Sequence, residues 1–118
     1  MNRPPSKSPK QTPVTRPLRR SEYRIEFGTS NAQKGWTDVL ATQRNTVVAA
    51  WERLPADPLA DDTTCHGMKG NLEFITHAGS TYRRRQYELR NGARIWFYVY
   101  DRTVVLTEVH THHPNATK

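Results

Sequence analysis

With 118 residues the chain has room for one small hydrophobic core and not for a large multidomain enzyme. Apolar residues make up 35%, charged residues 25%, and the formal net charge is +7, a balance that fits neither a membrane-embedded chain nor a wholly disordered one. The charge is concentrated at one end: residues 1–20 hold Arg3, Lys7, Lys10, Arg16, Arg19 and Arg20, no acid, and five of the eight prolines, which leaves twelve basic against eleven acidic residues in the remainder.

Residues 1–20 are expected to form a disordered, basic, proline-rich arm, because prolines withhold ladder donors and Val14 and Leu18 are the only large aliphatics after Met1. The arm is either a solvated extension or an electrostatic aid to RNA or ribosome binding. No apolar run follows it, so it does not read as a secretory signal. The single Cys65 excludes an intrachain disulfide and fits a reducing compartment, and the longest apolar run is far short of a membrane span. A cytoplasmic location with no membrane partner is the expectation.

The domain is expected over residues 21–118. Tyr23-Arg24-Ile25-Glu26-Phe27 alternates apolar with polar and predicts a half-buried strand, followed by turn and helix-cap chemistry at Gly28 to Asn31. Trp36, Val39, Leu40, Val47, Ala50, Trp51 and Leu54 then recur at three- and four-residue steps as far as Pro55. One long helix and two helices with a bend near Ala41 to Gln43 both satisfy this spacing, and both tryptophans read as core. Pro55 to Gly70 reads as a loop carrying Asp57, Asp61 and Asp62. Leu72 to Ala78, Tyr82 to Leu89, Arg94 to Tyr100 and Val104 to Thr111 are rich in aromatic and branched residues and are separated by short turns. They predict a four-strand antiparallel meander, covered on one face by the helices, in an α+β domain.

Strand parity sorts the side chains between faces. Ile95, Phe97 and Val99 are assigned to the helix side with Tyr87, Leu89, Arg83 and Arg85, and with Val105, Thr107 and Val109 of the last strand. A three-residue loop Asn91-Gly92-Ala93 is expected to pair Arg90 with Arg94 and Glu88 with Trp96, and an odd offset is required at Asp101-Arg102-Thr103. The open face then collects Arg84, Glu88, Arg94, Glu108, His110 and His112 around Trp96 and Tyr98. Aromatics that stack bases beside arginines that bind phosphate make a plausible RNA groove. Residues 66–118 carry eight Lys and Arg against four acids, plus all five histidines, whereas residues 21–65 carry four against seven.

The order of these elements, with Leu54-Pro55-x-x-Pro58, Met68-Lys69-Gly70-Asn71-Leu72, Tyr87-Glu88-Leu89, Gly92-Ala93-Arg94-Ile95-Trp96-Phe97-Tyr98-Val99 and His110-Thr111-His112-His113-Pro114, resembles the RelE/ParE superfamily of toxins from type II toxin–antitoxin pairs. The resemblance runs from about Tyr23 to Asn115. It implies a RelE-like (microbial-RNase-like) α+β fold, in which an N-terminal strand and helical hairpin pack on a four- to five-stranded, mainly antiparallel sheet. It further implies a toxin that enters the ribosomal A site and cuts mRNA without metal or cofactor, neutralised by a cognate antitoxin. Arg94 matches the arginine that family ribonucleases use on the scissile phosphate. Glu88 lies where relatives carry a lysine or a nearby glutamate, and His112 and His113 fall where some members place a terminal catalytic histidine or tyrosine. No counterpart of the C-terminal helix that presents a catalytic tyrosine in some members is expected.

In chemical terms an RNA 2′-hydroxyl attacks its own 3′-phosphate. Arg94 is the expected phosphate clamp, Glu88 the base and His112 the acid, with His113 as substitute and His110 as a weaker alternative. Lys69, Arg84, Arg85, Arg90, Trp96, Tyr98 and His110 are the expected RNA-binding set. A cross-strand ion pair on a solvated face is the competing account of Glu88 and Arg94. Zinc binding by His110, His112 and His113 lacks a second cysteine or a placed carboxylate to complete four ligands, and a two-histidine phosphoesterase would need its motif twice. Two alternatives stay open: a ParE-like toxin that poisons DNA gyrase on the same scaffold, and a non-cleaving RNA- or ribosome-binding module.

Overall fold

Thr29 fixes the start of the first helix: its Oγ1 accepts the Ala32 amide at 3.0 Å and donates to the Thr107 carbonyl at 2.7 Å, so the cap also ties the helix to the sheet. In a computed structural model, which describes residues 11–114, the chain runs β1 (Arg24–Phe27), α1 (Ser30–Thr42), α2 (Arg44–Ala56), β2 (Cys65–Gly67), a single 3-10 turn (Gly70–Leu72), β3 (Phe74–His77), β4 (Ser80–Arg83), β5 (Arg85–Glu88), β6 (Arg94–Tyr100) and β7 (Thr103–His110). The helical stretch is two helices, broken at Gln43 with φ −148° and ψ 59°, within the span where the bend was expected. The second helix runs one residue past Pro55, whose carbonyl accepts the Tyr23 amide at 2.8 Å.

Five strands form the main sheet in the order β1-β7-β6-β5-β2; β1 pairs parallel with β7 and the other pairings are antiparallel. This differs from a four-strand meander in two ways. The second expected strand is split at Arg84, so that β3 and β4 form a hairpin of their own. The position beside β5 that the meander gives to the first expected strand is taken by β2, a three-residue edge strand inside the expected Pro55–Gly70 loop, which pairs with β5 through Cys65 and Tyr87, His66 and Gln86, and Gly67 and Arg85.

The helices cover one face, where Val39, Val47, Ala50 and Leu54 meet Ile95, Phe97, Val104, Leu106 and Val109 in a closed core. Trp36 and Trp51 are half-buried rather than core, and line a small cleft of about 150 Å³ with Ile25, Phe27 and Leu106. The parity assigned to β6 holds for Ile95 and Phe97, but two registers differ from expectation. Glu88 stands opposite Arg94, and Gln86 opposite Trp96, because the loop is Arg90-Asn91-Gly92, closed by the Ala93 amide on the Arg90 carbonyl at 3.1 Å with Asn91 and Gly92 both at positive φ. In β7 the offset is not at the turn, which is a tight two-residue Asp101-Arg102 connection; it is a bulge at Thr107, opposite the Trp96–Phe97 step. The bulge sends Val104 and Leu106 into the helix-side core and turns Val105 to the face of Tyr98, the reverse of the assignment made for Val105.

Residues 1–10 of the expected arm lie outside the described residues. Residues 11–20 are exposed and form no strand or α-helix, but Arg16 pairs with Glu22 at 2.8 Å and lies 5.0 Å over the Trp51 ring. Among the described residues no helix is long and apolar enough to cross a membrane.

Two consequences are measurable. A Cβ on Gly35 would stand 2.1 Å from the Val109 carbonyl oxygen, a backbone atom that cannot step aside. Gly35→Ala is therefore expected to lower stability by about 1–3 kcal/mol in denaturant titration, although alanine is favoured over glycine inside a helix by about 1 kcal/mol. The loop before β2 is held by Asp62, which pairs with Arg53 and accepts the Thr64 and Cys65 amides at 2.9 and 3.0 Å. These partners, the Arg53 hydrogen bond foremost, hold its carboxyl down at about 2 against an ordinary 3.8. The pKa is lowered on folding, so the contribution is complete above about pH 4 and is lost as pH falls toward 2. Exchange protection of the Thr64 and Cys65 amides should fall across that window, and in Asp62→Ala it should be low at every pH.

Candidate functional site

The sheet face away from the helices is not open. The β3–β4 hairpin lies over part of it: Tyr82 stacks on Tyr98 with ring centroids 4.0 Å apart and an interplanar angle of 6°, and His77 Nε2–H donates to the Gly28 carbonyl at 3.1 Å. That bond assigns the tautomer, so His77 Nδ1 accepts from the Tyr98 hydroxyl at 2.8 Å. Tyr98 is 5% exposed and Trp96 3%, and the two rings expected to stack bases are instead inner packing of the sheet. Trp96 is enclosed by Arg84, 5.1 Å over its ring, and by His110, edge-on at 4.5 Å.

What remains accessible is a cleft of about 740 Å³ between β2, the 3-10 turn and the β5–β6 strands, lined by His66, Met68, Lys69, Leu72, Gln86 and Arg94 among others. β6 starts at Arg94 and carries that side chain into the cleft with only 13% of its surface exposed. Each guanidinium nitrogen has a partner: Nη2 pairs with Glu88 Oε2 at 3.3 Å, Nη1 donates to Gln86 Oε1 at 3.2 Å, and Nε donates to the Gly92 carbonyl at 3.3 Å. Guanidinium has five N–H groups, so a second hydrogen on each terminal nitrogen is left for an anion. Gln86, 2% exposed, accepts from Trp96 Nε1 at 2.9 Å on the same oxygen that serves Arg94.

The other expected site residues fall into three groups. Glu88 and Arg94 are brought together as a cross-strand ion pair, and Lys69 is exposed on the rim of the same cleft. His110 is opposite Arg94 across the β6–β7 ladder; its Nε2 lies 2.9 Å from Glu108 Oε1 but without the alignment of a hydrogen bond. His112 and His113 line a different cleft, of about 530 Å³, formed by the end of β7 with Asn31, Lys34 and Asp38 of the first helix, and the structure does not bring them into the Arg94 cleft.

Arg85 is used inside the fold. Its Nε donates to the Pro58 carbonyl at 3.0 Å, its Nη2 donates to the Ala60 carbonyl, and it faces the buried Cys65, which corrects its assignment to RNA binding. Burial pushes the Cys65 thiol up, against the opposing pull of Arg85, so this cysteine is a packing residue. Arg84 donates to the Leu72 carbonyl at 3.2 Å and stacks on Trp96 rather than reaching into solvent. Arg90 is exposed at the hairpin loop, where its amide and carbonyl are both bonded to the Gln43 side chain.

Sequence reasoning missed His66 and Gln86. His66 lines the cleft, and its Nδ1–H donates to the Gly67 carbonyl at 2.9 Å, so that Nε2 carries the lone pair of the neutral ring. Proline, glycine and aspartate mark its stretch as loop, and three residues are too few for a strand alternation to show. Among the described residues no group of three or more His, Cys, Asp and Glu side chains is arranged to hold a metal ion.

No protein-family model matches the sequence, and no curated protein does. Among solved structures the chain is similar to one from the toxin–antitoxin complex RelBE2 of Mycobacterium tuberculosis, with 16% identity over 83% of this chain and 100% of that one and a TM-score of 0.51. It is also similar to a copper-bound mutant toxin from Helicobacter pylori, with 16% identity over 76% of this chain and 94% of that one and a TM-score of 0.49. The α+β, mainly antiparallel RelE-like architecture expected from the sequence is therefore the fold of this chain.

The hairpin cover is testable through Tyr98. Burial first, and then the nearby Tyr82 hydroxyl, raise its phenol above the ordinary value of 10.0. Alkaline titration followed by phenolate absorbance should show Tyr98 ionising late, and Tyr82→Ala should return it toward the ordinary value; an unchanged Tyr98 titration would mean that Tyr82 does not cover Tyr98.

Proposed function

We propose that the chain is the toxin of a toxin–antitoxin pair and acts as a metal-independent endoribonuclease on mRNA at the ribosome, inhibiting translation. One observation carries the reading: a mostly buried Arg94, held at three nitrogens and sharing its cleft with Lys69 and His66, with two N–H groups left for an anion in a cleft of nucleotide size. The fold shared with a chain of a toxin–antitoxin complex supports a cognate antitoxin as its protein partner.

The reaction needs three functions. Arg94 takes the scissile phosphate and stabilises the charge that builds on its non-bridging oxygens, with Lys69 adding a second cation at the rim. Glu88, 41% exposed and 3.3 Å from Arg94, removes the proton of the 2′-hydroxyl, whose oxygen bonds to phosphorus. The bond to the 5′-oxygen breaks, and that oxygen takes a proton from the acid, leaving a 2′,3′-cyclic phosphate and a 5′-hydroxyl. For the acid we favour His66 over His112, because His66 shares the cleft with Arg94 and His112 does not.

Ribosomes programmed with mRNA, combined with 5′-end mapping, test the assignment. Arg94→Ala should reduce cleavage by about 10²–10³-fold, and His66→Ala by about 10²-fold or more at neutral pH, whereas His112→Ala should change it little. Loss of cleavage in His112→Ala but not in His66→Ala would return the acid to His112. Intact mRNA together with inhibited supercoiling by gyrase would replace the ribonuclease reading by the gyrase one.

A further inference from the structure

Trp96 Nε1 and Arg94 Nη1 are both obligate donors, and they converge on one atom of Gln86, at 2.9 and 3.2 Å. Only an oxygen satisfies both, so the amide has one orientation and cannot turn over without leaving two N–H groups facing an amino group. The side chain is 2% exposed and lies on β5 directly opposite Trp96, with its backbone held on both sides, by β6 and by β2. Trp96 is itself fixed between the Arg84 guanidinium and the His110 ring. Rigidity is thus passed from the aromatic face to the indole, from the indole to the amide oxygen, and from that oxygen to Arg94.

We propose that Gln86 is the positioning residue of the site: its Oε1, oriented by the Trp96 indole, holds the Arg94 guanidinium in the direction from which it meets the phosphate. This rests on the ribonuclease reading for its consequence in catalysis, but not for the contact itself. The other two partners of Arg94 do not replace it. Glu88 is 41% exposed and is free to turn toward solvent or substrate, and the Gly92 carbonyl restrains Nε but leaves the terminal nitrogens free to swing. A neutral, buried acceptor aims the cation without cancelling its charge, as supporting residues do for other charged groups in active sites.

The test uses the full chain with Gln86→Met, which keeps length and burial but removes the oxygen. In the wild-type protein the Arg94 terminal N–H signals should be distinct in side-chain nitrogen spectra, because rotation about the guanidinium bonds is restrained. In Gln86→Met they should average, and kcat for ribosome-dependent cleavage should fall by about 10²-fold with KM changed far less, as expected for a misaimed group. Gln86→Glu, which restores the oxygen, should keep the signals distinct. If methionine is not accommodated, Gln86→Asn, one carbon short of reach, should release Arg94 in the same way.

Distinct Arg94 signals in a folded Gln86→Met or Gln86→Asn protein would overturn the proposal. So would wild-type kcat in either variant when Arg94→Ala is inactive. An Arg94→Ala protein that cleaves as well as wild type would instead count against the ribonuclease reading, and the spectra would still decide the role of Gln86.

Discussion

One extra residue in β7 organises both faces of the sheet. Thr107 has no partner of its own opposite β6, and its presence inverts the alternation of the strand halfway along. Before it, Val104 and Leu106 point to the helices; after it, Val109 does, while Glu108 and His110 join Trp96 and Arg94 on the opposite side. A regular strand holding Val104 and Leu106 in the core would turn Glu108 and His110 toward the helices and Val109 away from them. The bulge is closed with its polar atoms satisfied, because Thr107 Oγ1 donates to the Trp96 carbonyl at 3.2 Å and its carbonyl accepts the hydroxyl that caps the first helix. Helix start, strand parity and the position of Arg94 opposite His110 thus share one local irregularity.

The second face is closed by different means. The β3–β4 hairpin contributes Tyr82 and His77, which satisfy and cover Tyr98, and Arg84 at its exit covers Trp96. This packing leaves the aromatic rings unable to serve as a base-stacking platform. It also makes them rigid, and the polar groups beside them inherit that rigidity. The accessible polar groups are displaced sideways to the cleft beside the edge strand β2, which Lys69, His66 and Arg94 line.

Much of the fold was legible because it rests on local periodicity. The helical stripe ending near Pro55, a break near Gln43 as one of two allowed readings, and the sorting of Ile95 and Phe97 to one face with Trp96, Glu88 and Arg94 on the other all follow from residue spacing, although the register that sets Glu88 opposite Arg94 does not. What was not legible depends on contacts between distant segments. Nothing in Val104-Val105-Leu106-Thr107-Glu108 marks a bulge, since it contains neither glycine nor proline. The three residues Cys65 to Gly67 are too few to alternate recognisably, and they become a strand only because β5 offers an edge. Burial of Trp96 and Tyr98 depends on a hairpin folding back, which strand parity assigns to a face but cannot cover. The placing of Arg94 and Glu88 on one face was legible because their strands are one hairpin apart, whereas the places of His66 and Gln86 depend on the edge strand and on the second layer.

On the proposed phosphate-binding role of Arg94, electrostatics accounts for a buried partner that is an amide rather than a second carboxylate. Glu88 already offsets part of the guanidinium charge, and it does so from a half-exposed position where water screens it. A second carboxylate in the place of Gln86, almost sealed from solvent, would interact with an arriving phosphate about 4 Å away at roughly 4 kcal/mol per unit charge with an effective dielectric near 20, and the sign would be repulsive. That opposes binding by about the same amount as the attraction Arg94 supplies at equal distance. An amide oxygen accepts the same two hydrogen bonds with no net charge, so direction is imposed on the cation while its field is left for the ligand. Orientation by a neutral group and partial neutralisation by a movable one are separate tasks here, and the fold assigns them to a buried residue of β5 and to an exposed one two positions further along the same strand.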